Sequence, residues 1–289
     1  MYTISGEKQF LKRELVVFLF LSMIFSWPVV LLIMQQLPSD FKPGDVEAFK
    51  NAEGSIAMLY GLGPMLSAII VTAFYRGKSG VKELFSKVFT WKVHLQWYLY
   101  ALILPVLPQW IGLLLWAKLS GTELMLPTPT QYLSSWLQIT LMATAYYITE
   151  EVGWRGFMLP RMLFLHAWIK SALVVGIIWS IWHYPLWITG WWSTTGSVSD
   201  TSLMVMAFSV YGIGLTVMAT WIFKNTRGST LLAMVLHASS NSNLNKMKEV
   251  TRDLTLQESS FAIVQAVTFS IAVVFLLAII RNREPSVGP

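Results

Sequence analysis

The chain has 289 residues, of which 55% are hydrophobic and only 12% charged, with a net charge of +6. Soluble domains carry roughly 25% charged residues, so half that value argues for a membrane protein. The absence of cysteine excludes a disulfide framework, thiolate chemistry and a cysteine-ligated metal. The modest positive charge follows from membrane topology and does not call for nucleic-acid binding. Fourteen Trp and ten Tyr suit a chain with aromatic belts at two water interfaces.

A transmembrane helix needs roughly 20 mainly apolar residues. In chain order the sequence predicts spans at Leu15–Leu37, Ile56–Tyr75, Leu95–Leu119, Tyr132–Thr149, Ser171–Thr189, Leu203–Phe223, Thr230–Ser242 and Ser260–Ile280. The fold class expected is therefore all-α, a polytopic membrane protein of about eight transmembrane helices forming one domain over residues 1–289. No small-residue cleavage pattern follows the first apolar run, so it reads as a first span and not as a signal peptide. Gly61, Gly63 and Pro64 interrupt the second span, the seventh is short and polar at its end, and Phe157–His166 is too short to span and reads as an interfacial or re-entrant helix. The tail from Glu284 to Pro289 reads as disordered.

Lys and Arg concentrate on the segments that lie inside when the N terminus does, among them Lys8, Lys12, Arg13, Arg76, Lys87, Lys92, Arg155, Arg161, Lys224, Arg227 and Arg281. The first outer loop carries Asp40 and Asp45, whereas Lys246, Lys248 and Arg252 run against the pattern. The balance places both termini in the cytoplasm of an integral membrane protein. Compact loops and the lack of targeting extensions favour a bacterial plasma membrane.

Ionisable groups within a bilayer are costly and normally face a cavity or a partner. That makes the adjacent Glu150 and Glu151, set in an oily stretch, the first functional candidates. Glu151 and Arg155 are four apart and share a helical face in the favourable acid-before-base order, so an ion pair is expected. Glu150 is rotated by about 100° from Glu151 and lacks a local partner. Of the four histidines, His94 and His166 sit at predicted interfaces and read as structural, while His183 and His237 lie within apolar segments. His237 and Asn241 share one helical face.

These residues fall into three spaced sets: Glu150-Glu151-x-x-x-Arg155, Trp179-x-x-x-His183 and His237-x-x-x-Asn241. In order, they resemble the three signature motifs of the CPBP family, which includes the type II CAAX prenyl endopeptidases, lysostaphin-resistance-like proteins and bacteriocin-processing or immunity proteins. The resemblance covers about residues 131–243. It departs at Trp179, where the family typically has Phe, which keeps an aromatic for packing.

The resemblance implies an intramembrane peptidase acting on a peptide or protein, lipidated CAAX-type proteins included. Glu150 and His183 would activate a water, and His237 with Asn241 would stabilise the oxyanion, with Glu151, Arg155 and Trp179 in support. Such roles suit a carboxylate base and neutral donors in a dry site. Glu150, His183 and His237 are also ligands that a catalytic zinc could take. No His-Glu-x-x-His pair is present, and Asn241 suits an oxyanion better than zinc, so the favoured reading has no metal cofactor. Asn241 is then expected to aim at the cavity and not to cap its own helix. The alternatives are a non-catalytic immunity or scaffold protein, and a proton-coupled transporter.

One tension is visible in advance. His183 lies about 18 Å along a helix from Ser171, whereas Glu150 follows a full span. Either the fifth helix begins later than Ser171, or the fourth continues past Glu151.

Overall fold

A computed structural model describes residues 4–36, 46–188, 197–251 and 259–283. The predicted tail at 284–289 and the loop positions Asp40, Asp45 and Arg252 lie outside the described residues. Among those described, the helices run α1 (Ile4–Gln36), α2 (Val46–Ser86), α3 (Leu95–Ile103), α4 (Val106–Ser120), α5 (Pro129–Tyr146), α6 (Ile148–Glu151), a π-helical stretch (Val152–Met158), α7 (Leu159–Leu165), α8 (Trp168–Ile188), α9 (Val198–Asn225), α10 (Thr230–Val250) and α11 (Ser259–Arg283), with no strand.

Six stretches are long and apolar enough to cross a membrane: Gly6–Leu32, Leu59–Ser86, Leu95–Ser120, Trp168–Trp187, Val198–Asn225 and Ser259–Arg281. The third is α3 and α4 taken together. The chain is an all-α, polytopic, integral membrane protein. Its outward faces carry large apolar side chains such as Val16, Phe20 and Leu31 on α1 and Ile271, Val274 and Phe275 on α11, as a lipid-facing surface requires.

Two of the eight predicted spans are not among these six. They do form helices, α5 and α10, and they pack on each other. Their composition explains the difference: α5 carries Thr, Ser, Gln and Tyr along its length, and α10 turns polar from Ser239 onward. α10 is largely buried in protein, whereas α5 buries only Trp136 and Thr140 and leaves Leu133, Leu141 and Met142 exposed.

The second span is also continuous where an interruption was expected. Pro64 lies inside α2, and its missing N–H leaves the carbonyl of Tyr60, four residues earlier, without its helical donor. Ser26 Oγ on α1 donates to that carbonyl at 2.8 Å. In a bilayer every backbone polar group needs an internal partner, so this serine is what lets the proline sit mid-helix. The actual departure from helical geometry is at Gly77, with φ 64°.

Pro64 has a second role. A Cβ on Gly153 would lie 2.5 Å from Pro64 Cβ and 2.7 Å from its carbonyl. Only glycine lets the π-helical stretch press against α2 there. At the end of this hairpin Glu14 of α1, fully buried, accepts from Arg76 and Arg161, each at 2.9 Å, and so joins α1, α2 and α7. Gly153→Val is expected to lower the unfolding temperature in detergent, because overpacking a tight contact costs about 1–3 kcal/mol. Scanning calorimetry of the purified variant against wild type checks it.

Candidate functional site

The tension between Glu150 and His183 is resolved in neither of the two ways foreseen. α5 stops at Tyr146 and α8 starts at Trp168, three residues earlier than predicted. From Ile148 to Leu165 the chain is one helical rod, made of α6, the π-helical stretch and α7. It includes the segment expected to be a separate short helix. The rod packs back along α8 as a hairpin. Glu150 lies about 20 Å up one arm and His183 about 22 Å up the other, at close to 1.5 Å per residue. The two arms therefore bring the residues level.

Glu150 is almost fully buried, and Trp179 Nε1 donates to its Oε2 at 3.1 Å. Trp179 was expected to contribute packing alone; here it donates a hydrogen bond that the family's phenylalanine could not. A Cβ on Gly212 would lie 2.7 Å from the Trp179 ring, so this glycine of α9 makes the space in which the indole lies. His183 Nε2 is 4.0 Å from Glu150 Oε2. Its Nδ1 is 2.8 Å from the Trp179 carbonyl. A carbonyl only accepts, so Nδ1 carries the proton and a neutral ring turns the Nε2 lone pair toward the carboxylate.

Glu151 is 0% exposed. Its Oε1 accepts from Arg155 Nη1 at 2.7 Å, which is the predicted pair, and from His237 Nδ1 at 2.9 Å. Arg155 also donates to Thr216 Oγ1 on α9 at 2.9 Å. The supporting pair is thus fastened directly to a motif histidine, and three elements converge on it. Among the described residues Glu151 Oε2 and Arg155 Nε have no hydrogen-bond partner.

The His237 ring stacks on Tyr147 with centroids 3.9 Å apart and meets the Trp179 ring edge-on at 5.7 Å. Asn241 Nδ2 donates to Tyr147 Oη at 2.7 Å. The amide turns away from its own helix backbone and onto Tyr147, a residue given no role in the sequence motifs. Tyr147 stands three positions before Glu150 at the break between α5 and α6. Its adjacency to the acidic pair was the available signal.

Behind this face, α10 is held by a polar network. Gln109 Nε2 donates to Ser240 Oγ at 3.0 Å, and Asn243 Nδ2 donates to Gln109 Oε1 at 2.6 Å. Asn243 Oδ1 accepts from Tyr132, and Trp136 Nε1 donates to the Ser239 carbonyl at 3.3 Å. Ser239, Ser240 and Asn243 therefore fix α10 against α4 and α5, leaving His237 and Asn241 for the other side. His94 and His166 take no part: His94 caps α3 and His166 ends α7.

Among the described residues no three His, Asp or Glu side chains are grouped to hold one ion. Glu150 and His183 face each other, while His237 Nδ1 is taken by Glu151.

This constellation lies within residues 132–243, which match the model of the type II CAAX prenyl endopeptidase Rce1-like family. That stretch is similar to the Rce1-like, or CPBP, family. The chain is also similar to "CAAX prenyl protease 2" of Methanococcus maripaludis (strain S2), with 25% identity over 123 residues. That alignment spans 43% of this chain and 44% of the relative. The Rce1-like stretch runs from α5 to α10 and holds all seven motif residues, whereas α1, α2 and α11 fall outside it.

Removing one partner of a buried ion pair typically costs about 3–5 kcal/mol. Arg155→Ala is expected to lower the yield and melting temperature of the membrane-extracted protein. Trp179→Phe, which keeps the ring and removes only the indole donor, is expected to shift stability by no more than the roughly 1–3 kcal/mol of a lost bond to a carboxylate. Thermal melts of both variants check the order.

Proposed function

We propose that the chain is an intramembrane endopeptidase that hydrolyses a peptide bond by attack of an activated water. The observation that carries this reading is the facing of Glu150 and His183 across 4.0 Å. That is too long for a direct hydrogen bond, but one water bonded to both at about 2.8 Å would span it.

In the proposed step Glu150 takes a proton from the water while His183 Nε2 orients it. The hydroxide oxygen adds to the substrate carbonyl carbon, giving a tetrahedral oxyanion. Collapse breaks the C–N bond, and the proton held by Glu150 passes to the leaving amine. Asn241 has two amide hydrogens; one is committed to Tyr147 and the other serves the oxyanion. His237 donates Nδ1–H to Glu151 and serves the oxyanion with Asn241. Glu151 and Arg155 hold that histidine and do not touch the reacting atoms.

The substrate class proposed is a C-terminal or membrane-associated peptide segment of CAAX type, lipidated tails included. Support comes from the Rce1-like match and from the similarity to a protein named as a CAAX prenyl protease. The location proposed is a bacterial plasma membrane, on the compact loops, with both termini cytoplasmic, on the distribution of Lys and Arg. No metal is proposed to take part, because Asn241 suits an oxyanion donor better than a zinc ligand.

Cleavage of a fluorogenic prenylated CAAX peptide by the purified protein tests the reading. Glu150→Gln is expected to abolish turnover while leaving the melting temperature near wild type. A well-folded Glu150→Gln enzyme with full turnover sinks the assignment. Asn241→Ala is expected to slow kcat by roughly 10²–10³-fold, the usual loss for one oxyanion donor. A chelator is expected to leave the rate unchanged, whereas loss restored by added zinc would establish a metal mechanism.

A further inference from the structure

Away from the motif residues, the segment between α2 and α3 and the turn between α9 and α10 border a shallow, open surface cavity of about 410 Å³, lined by Lys87, Phe89, Thr90, Trp91, Lys92 and Arg227. Three of these six carry positive charge and none is acidic. Among the described residues none of the three cations is in an ion pair. Lys92 Nζ rests 5.4 Å from the Trp91 ring centroid. Three uncompensated cations around one cavity repel one another, and an anion placed among them would relieve that repulsion.

The cavity walls are pinned together. Thr230 N donates to the Lys87 carbonyl at 3.0 Å, Ser229 Oγ donates to the Thr90 carbonyl at 2.7 Å, and Arg227 Nη2 donates to the Lys92 carbonyl. Arg227 has φ 57°, the single positive φ outside glycine among the described residues. Side chains in that region of conformational space cost energy and persist where surrounding contacts enforce them. The turn is thus held with Arg227 at the cavity, ahead of any ligand.

Depth supplies the identity of the ligand. The lining residues sit at the ends of three membrane-crossing stretches, just past Ser86, just before Leu95 and just past Asn225. Phe89 and Trp91 are largely exposed. Aromatic side chains at span ends mark the headgroup layer, and basic pockets between spans at that level bind anionic headgroups.

We propose that the cavity lined by Lys87, Trp91, Lys92 and Arg227 is a binding site for a phosphate-bearing anion, the headgroup of an anionic phospholipid of the adjoining leaflet. Native mass spectrometry of the full-length protein in detergent tests this, with phosphatidylglycerol or phosphatidylcholine added, and with soluble glycerol phosphate as competitor. Wild type is expected to retain phosphatidylglycerol in preference to phosphatidylcholine. Lys87→Gln/Lys92→Gln should weaken retention roughly fivefold per lysine removed. That variant leaves the Arg227 side chain and its backbone acceptor in place, so the turn keeps its fastening, and adding Arg227→Gln should weaken retention further.

Glycerol phosphate that displaces the lipid only at concentrations about a hundredfold higher supports the headgroup. Competition at equal concentration supports the same phosphate site with a soluble phosphate ester as its ligand. Equal retention of the two lipids by wild type, or unchanged phosphatidylglycerol retention in both variants, overturns the proposal. The readout does not depend on peptidase activity, so the site and the proposed chemistry stand or fall separately.

Discussion

A carboxylate withdrawn from bulk solvent has to be given hydrogen-bond donors, and the middle of this molecule is arranged around two such buried carboxylates side by side. Adjacent helical residues point about 100° apart, so no single neighbouring helix can serve both. Glu151 is served by Arg155 and by His237 of α10, and Glu150 by the indole of Trp179 on α8. Two helices distant in sequence are thereby drawn to neighbouring sides of one short element, where the Trp179 and His237 rings meet. The remaining contacts follow from that: Thr216 steadies Arg155 from α9, and Tyr147 covers the face of His237.

Much of this was legible in the residues. Hydropathy finds the spans because lipid demands long apolar runs, and the i to i+4 relation gives the Glu151–Arg155 pair directly. The polar positions on α5 and α10 were visible as well, but their meaning was not. Read as two spans, the seventh short and polar at its end, they are helices joined to each other through Trp136, Asn243 and Tyr132. Hydropathy measures how well a segment tolerates lipid and says nothing of whether protein replaces the lipid around it.

Two further features had no sequence signal of the usual kind. The helical rod from Ile148 to Leu165 is broken in hydropathy by Glu150, Glu151 and Arg155, so its continuity was hidden by the very residues it carries. The donor role of Trp179 was hidden by treating one aromatic as equivalent to another. Phenylalanine and tryptophan are alike as rings and unlike as hydrogen-bonding groups, and which property matters depends on whether an acceptor lies within reach. At position 179 one does.

The wide winding of Val152–Met158 has a consequence for how the segment can change over time. A π-helical stretch holds one residue more than the α-helix it interrupts. The extra residue is taken up within the wide turn, so loss of one residue between 152 and 158 would let the rod relax to regular winding with little turn of Leu159, Met162 and the Arg161 that reaches Glu14. Loss of one residue from the regular helix of α7 would instead turn everything after it by about 100°. The length of the π-helical stretch is therefore expected to vary more readily among related chains than that of α7.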